Sequence, residues 1–202
     1  MKRDSILAIL KNTVGERRMP HVLGTEEECL RLAARFGLSE TETETLQLAA
    51  LLHDITKSFS RDEHLAVLRR VGVDPAVLFL PSEKTWHAVT GALYAKEAFP
   101  TLVNDAVLTA IRYHTTGRAS MSLLEKLLYL ADYIEPTRTF HDCVQLRQFF
   151  YDTMASENHP EAVLTKTLIL SFDMTIRDLV RLRCPIHPDT VAARNDLLSK
   201  EG

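Results

Sequence analysis

Two neighbouring residues, His53 and Asp54, close the apolar run Leu46, Leu48, Ala49, Ala50, Leu51 and Leu52. An imidazole beside a carboxylate is a pair of ready ligands for a transition metal. Three more histidines, His21, His87 and His114, fall where amphipathic segments begin or end. Asp132 interrupts the apolar run Leu127-Leu128-Tyr129-Leu130-Ala131. An aspartate in such surroundings is costly unless it is paired or coordinates a cation. Taken singly, a histidine on a mixed helix is usually a packed or surface residue. An arginine would satisfy Asp132 equally well. The ordered set of His, His-Asp, His, His and Asp on successive segments is what points to one metal-binding pocket, of the kind that facing helices build in bundles.

Helices must position these residues. Nearly every segment has apolar residues at helical spacing, and none sustains the alternation of a strand. The spacing predicts helices over about 3–13, over about 21–36 and from Ser39 to the His53-Asp54 pair. Gly15 to Pro20 breaks the first from the second, and Gly37 stops the second. Ser39 with Glu42, and Ser60 with Glu63, have the spacing of a capping box. The helix after Ser60 ends at Gly72, and a helical turn begins at Asp74-Pro75 and closes at Pro81. Ser82 or Thr85 opens the next helix, as far as Phe99-Pro100. Thr101 to Tyr113 is another, and Ser120 or Ser122 caps one running to Ile134. Three more are expected over about 143–156, 160–183 and 189–199. With no repeat or long linker, the chain reads as one all-α domain over 1–202. A helical core of about 18–138 would carry the metal site at converging helix ends, with C-terminal helices 143–199 packed on it.

The chain has 202 residues, suiting one domain of roughly 100–200. A hydrophobic fraction of 46% is enough for a core. A net charge of −3 argues against bulk affinity for nucleic acid or an anionic membrane. No stretch approaches the roughly 18 apolar residues of a membrane span. Ile6 to Leu10 is too short for a signal sequence, so a cytoplasmic protein is expected. Cys29, Cys143 and Cys184, sparse and widely spaced, are expected to be reduced.

The order of the ligand-bearing segments resembles the HD superfamily of metal-dependent phosphohydrolases, named for its His-Asp doublet. Arg18-Met19-Pro20-His21-Val22-Leu23-Gly24 looks like that family's opening helix, and Ala50-Leu51-Leu52-His53-Asp54-Ile55-Thr56-Lys57 like its doublet helix. Ile111-Arg112-Tyr113-His114-Thr115-Thr116-Gly117-Arg118 and Leu130-Ala131-Asp132-Tyr133-Ile134-Glu135-Pro136-Thr137-Arg138 resemble one branch in particular. That is the YqeK-type branch, the bacterial symmetrical diadenosine tetraphosphate hydrolases. Ala193-Arg194-Asn195 also fits it. Pro20 departs from the opening pattern but suits a first helical position.

The resemblance implies that His21, His53, Asp54 and Asp132 bind the main metal. It implies that His87 and His114 either bind a second metal, with Asp54 bridging, or contact substrate phosphate. The ligand types suit iron, manganese, cobalt or zinc, and the resemblance favours iron. The implied reaction turns diadenosine tetraphosphate into two ADP, by attack of hydroxide generated at the metal on a phosphoanhydride. A metal lowers the pKa of its water from about 15.7 to as little as roughly 7. The phosphoryl oxygens call for cations around them. Lys57 lies one helical turn after Asp54, and Arg18, Arg118 and Arg138 each neighbour a ligand segment. Where His87 or His114 is not a ligand, it could protonate the leaving phosphate. Thr115, Thr116 and Gly117 could offer backbone N–H groups to phosphate, or be a plain connection. Tyr133 divides between packing and contact with a base, and Trp86 is expected in the core, the alternative being a wall of an adenine pocket. His64, His141, His159 and His187 have no expected role.

Other nucleotide phosphohydrolases on this scaffold would share the ligand set, whether for nucleoside monophosphates, cyclic dinucleotides or guanosine alarmones. So would a nucleotide-sensing domain without turnover, although such a domain would be expected to have lost a ligand. The expected partner is a dinucleoside polyphosphate, with no nucleic acid and no membrane. The many apolar helix positions also permit a homodimer.

Overall fold

The computed structural model describes residues 3–200, which form ten α-helices and no strand. Met1, Lys2, Glu201 and Gly202, the ends of the expected 1–202 domain, lie outside the described residues. α1 (Arg3–Val14) and α2 (Met19–Arg35) are separated at Gly15, which is left-handed with φ 79°. Pro20 sits in the first turn of α2, where its missing N–H has no helical partner to lose. α3 (Glu40–Leu52) and α4 (Arg61–Val71) open on the two expected capping boxes, Ser39 with Glu42 and Ser60 with Glu63. Gly72 closes α4 in the left-handed conformation. Two short 3-10 turns, Pro75–Val77 and Glu83–Thr85, lead into α5 (Trp86–Ala98).

α6 (Asp105–Tyr113) begins four residues later than the sequence pattern predicts. The N–H groups of Leu102 and Val103 donate back to the Phe99 carbonyl, turning the chain. Asn104 then caps the helix by accepting from the Val107 N–H at 2.9 Å. α7 (Leu123–Ile134) opens on a third capping box, made by Ser122 and Glu125 rather than by Ser120. α8 (His141–Ser156), α9 (Pro160–Arg181) and α10 (Pro188–Ser199) complete the chain.

α2 packs against both α3 and α7, α3 also meets α6, and α5 meets α4 and α6. α8 packs on α7, α9 on α8 and α10 on α9. One core runs through them, from Leu10 and Val22 through Leu46, Leu52 and Ile111 to Phe150 and Phe172. Each such side chain contributes about 1.5–3 kcal/mol by its burial, so the helices that carry the site are held by packing. A smaller core of Leu68, Leu78, Trp86 and Val89 secures the start of α5. All three cysteines are free, and Cys29 and Cys143 are buried. Among the described residues no helix is long and apolar enough to cross a membrane.

Candidate metal centre

Five helix ends meet at one place. His21 lies in the first turn of α2, and His87 is the second residue of α5. His53 and His114 directly follow α3 and α6, and Asp132 lies in the last turn of α7. The carboxyl ends of α3, α6 and α7 carry partial negative charge, which favours a cation between them. The amino ends of α2 and α5 favour an anion beside it. After α3 the backbone stays coiled, because Ile55 and Lys57 donate to the carbonyls of Leu52 and Asp54. The Thr56 hydroxyl donates to the His87 carbonyl at 3.0 Å and pins the start of α5 to this turn. His53, Asp54, His87 and His114 are at most 2% exposed.

Three triplets of side chains each offer ligand atoms within 4.8 Å of one another: His21, His53 and Asp54; His53, His114 and Asp132; and Asp54, His87 and His114. Asp54 faces two ways. Its Oδ2 lies 3.5 Å from Nε2 of both His21 and His53. Its Oδ1 lies 3.3 Å from Nε2 of His87 and 3.7 Å from Nε2 of His114. Asp132 Oδ1 is 3.0 Å from His21 Nε2 and 3.6 Å from His53 Nε2.

The hydrogen bonds assign the tautomers, and these fit a metal. Nδ1 of His53 donates to the Ala50 carbonyl at 2.6 Å, and Nδ1 of His114 to that of Ile111 at 2.7 Å. Nδ1 of His21 donates to the Glu135 carboxylate at 3.0 Å. With Nδ1 protonated, Nε2 of each neutral ring is a lone pair. Yet Nε2 of His21 stands 3.2 Å from Nε2 of His53, and Nε2 of His87 stands 3.1 Å from that of His114. The bare nitrogens of His21 and His53, facing each other beside two carboxylates, have no proton to share and need a positive charge between them. The titration of the ring nitrogens reports the same demand. Burial pushes the His21 pKa down, but hydrogen bonds to Asp132, Asp54 and Glu135 outweigh it and raise it to about 10. Burial also opposes ionisation of Asp54, yet His53, His114 and His21 hold it well below the usual carboxylate range. His87 behaves oppositely. Burial, aided by Lys57 and His114 against the pull of Asp54, lowers it to about 3.

Three of the expected cations border this cluster. Arg18 donates through Nε to Asp54 Oδ2 at 2.8 Å and also through Nη2. Arg138 donates to Asp132 Oδ1 at 2.5 Å, and its Nε is a buried donor with no partner among the described residues. Lys57 Nζ lies 3.1 Å from His87 Nε2 and 3.9 Å from Asp54 Oδ1. The Thr115 hydroxyl is within 3.2 Å of Nε2 of both His87 and His114.

Four other expected contacts have different partners. Arg118 is held bidentately by Glu125, at 2.6 and 3.0 Å. The Tyr133 hydroxyl donates to Asp142 at 2.8 Å, which turns it toward α8. Thr116 is buried, and its hydroxyl donates to the Gly117 carbonyl. The Gly117 N–H is taken by the Tyr113 carbonyl at 2.8 Å. Glycine is needed at 117 for its φ of 63° and because a Cβ would come within 2.6 Å of the Phe172 ring. Trp86 is core as expected, with Nε1 donating to the Phe79 carbonyl.

Glu135 belongs to the site although its chemistry is not visible in the sequence. It is fully buried, and Thr137 anchors it through its N–H at 2.6 Å and its hydroxyl at 2.7 Å. Its other contact is Nδ1 of His21. Gly24, one turn beyond His21 on α2, leaves the space that Glu135 Oε2 fills. A glycine inside an otherwise amphipathic helix is the signal that something approaches closely there.

Fold and site together define an all-helical metal-binding hydrolase. The chain belongs to the HD-domain family, whose description "HD domain" matches residues 18–137. It is 36% identical to "Bis(5'-nucleosyl)-tetraphosphatase, symmetrical" of Halalkalibacterium halodurans, over 100% of both chains. It is 35% identical to the protein of the same name in Bacillus subtilis, over 98% of this chain and 99% of that one. The crystal structure of a "predicted HD superfamily hydrolase involved in NAD metabolism" from Clostridium acetobutylicum superposes with a TM-score of 0.82. It is 33% identical, over 99% of this chain and 98% of that one.

Proposed function

We propose that this protein hydrolyses diadenosine tetraphosphate symmetrically into two ADP at a metal centre. The observation that carries the reading is the two-way Asp54, with one oxygen toward His21 and His53 and the other toward His87 and His114. The relatives named for this activity give the substrate. In this reading His21, His53, Asp54 and Asp132 would hold one metal, and Asp54, His87 and His114 would hold a second. Iron is the proposed metal: imidazole and carboxylate together suit iron, manganese, cobalt or zinc, and the family resemblance favours iron; metal analysis of protein purified without oxygen checks this. The metal centre supplies positive charge that lowers the pKa of water and polarises phosphoryl oxygens.

The chain's own residues orient the substrate and balance its charge. Arg18 and Arg138 bring guanidinium groups to the phosphoryl oxygens, where charge-assisted hydrogen bonds are strong. An oxygen there would also satisfy the unmet Nε of Arg138. Water oxygen bonds to one of the two central phosphorus atoms. The bond from that phosphorus to the central bridging oxygen breaks, and this oxygen leaves on ADP. Lys57, beside His87, is placed to stabilise and protonate that oxygen. A cytoplasmic location and a homodimer complete the reading. Exposed Phe140, Val180 and Leu182 offer apolar surface to a second copy, which light scattering would detect.

A product assay tests the reaction. The metal-loaded protein should convert diadenosine tetraphosphate to ADP alone, and in water enriched in heavy oxygen the label should enter one of each pair of ADP molecules. ATP with AMP would overturn the symmetrical cut. No turnover with iron, manganese or cobalt would overturn the substrate.

A further inference from the structure

On the His87 side of the metal centre lies a cavity of about 410 Å³. Lys57 and His87 border both the cavity and the metal cluster, so the two are neighbours through shared walls. Its size falls in the range of about 300–1,000 Å³ that small-molecule sites occupy. We propose that this cavity binds the departing nucleoside diphosphate half of the substrate, through Lys84, Arg61, His64, Glu83 and Phe59. The proposal rests on the hydrolase reading above and adds the residues that recognise one half of the molecule.

A symmetrical substrate has identical halves on either side of the reacting phosphates, so cations are needed on both sides. Arg18 and Arg138 serve the side of Asp54 Oδ2 and Asp132. Lys57 lies on the Oδ1 side, and the cavity continues from it. Two more cations, Arg61 and Lys84, line that cavity. Lys84 is exposed and makes no ion pair among the described residues. Arg61 is held over the Trp86 ring at 5.5 Å and beside Glu83 Oε1 at 2.9 Å. This arrangement keeps the guanidinium at the cavity wall.

The remaining groups suit a nucleoside rather than phosphate. His64 is buried, and its Nδ1 lies 2.7 Å from the Thr90 hydroxyl. That hydroxyl gives its own proton to the Trp86 carbonyl at 3.1 Å. Its oxygen therefore accepts from Nδ1–H of His64, which leaves Nε2 as an acceptor on a ring that lines the cavity. The Glu83 carboxylate is a second acceptor on the same wall. Ribose hydroxyls and the amino group of a base are the matching donors. Phe59, braced edge-on by Tyr94 at 5.7 Å, supplies an aromatic surface for a base.

Binding of ADP and of inorganic pyrophosphate to the metal-loaded protein, measured by calorimetry, tests this alongside steady-state kinetics on diadenosine tetraphosphate. Lys84→Glu changes an exposed residue and should keep the wild-type melting temperature. It should weaken both ligands and raise KM by about tenfold, equivalent to about 1.4 kcal/mol, with the change in KM and not in kcat. His64→Leu should weaken ADP by a similar factor and spare pyrophosphate, because the lost partner is on the nucleoside. If the wild type turns over substrate and both variants keep its KM and ADP affinity, the cavity assignment is overturned and the hydrolase reading stands. Loss of pyrophosphate and ADP together in His64→Leu would overturn the nucleoside part. If the wild type does not turn over, the hydrolase reading fails; ADP binding that still depends on Lys84 and His64 would support the cavity, and binding indifferent to them would overturn it.

Discussion

Asp54 is the residue on which most of the site depends, because each of its oxygens faces a different pair of imidazoles. Asp54→Ala removes an oxygen from both groups at once and leaves Arg18 without its carboxylate. Metal affinity should fall by more than the roughly 10–100-fold seen for outer-shell changes, and turnover should fall with it. The far-UV spectrum should not change, since Asp54 contributes no apolar packing. Full metal content in that variant would end the bridging assignment. Glu135 acts one step further out, by holding the His21 ring so that Nε2 faces the cluster. Glu135→Leu should weaken metal binding by roughly 10–100-fold. Glu135→Gln keeps an oxygen that accepts from Nδ1–H and should lose less. Equal losses in both would mean that the charge of Glu135, rather than its hydrogen bond, matters to His21.

At the scale of the element, α2 shows why local preference and site geometry conflict. Glycine within a helix costs about 1 kcal/mol relative to alanine, so Gly24→Ala would ordinarily stabilise. Here the added methyl collides with Glu135 Oε2, which would have to leave the place where it is anchored by Thr137. Gly24→Ala should therefore lower the melting temperature and weaken metal binding as Glu135→Leu does. A raised melting temperature with unchanged metal affinity would show that Glu135 simply moves aside. The same element shows what a sequence can reveal. Capping boxes and apolar spacing are local, so the starts of α3, α4 and α7 are legible from Ser39, Ser60 and Ser122. The start of α6 is not, because a turn at Leu102 and Val103 displaces a pattern that continues through it. Spacing also places a residue along the chain without aiming its side chain. Lys57, one turn after Asp54, does reach the cluster, whereas Arg118 and Tyr133 adjoin ligand segments but are drawn off by Glu125 and Asp142. Glu135 is hidden for a further reason. A glutamate before proline at a helix end looks like surface, and only the distant His21 and Gly24 give it a buried role.

For the whole molecule, the proposed ligand set would make the metal a tie between α2, α3, α5, α6 and α7, whose ends otherwise bring lone pairs and carboxylates face to face. The apolar core runs through all of these helices and on to Phe150 and Phe172. Chelation should therefore leave helix content intact at 25 °C while removing the stabilisation that the bound ion supplies. With free metal at about 1,000 times its dissociation constant, that contribution is about 4.1 kcal/mol. For a chain of this size each kcal/mol shifts the melting temperature by about 2–4 °C. The difference between metal-loaded and chelated protein should thus be roughly 8–16 °C, and the melting temperature should climb with the logarithm of free metal. Asp54→Ala should show little of this dependence, because it lacks the carboxylate that faces both imidazole pairs. A melting temperature indifferent to chelation in the wild type would mean that packing alone holds the five helix ends together, and that the ion is bound without tying them.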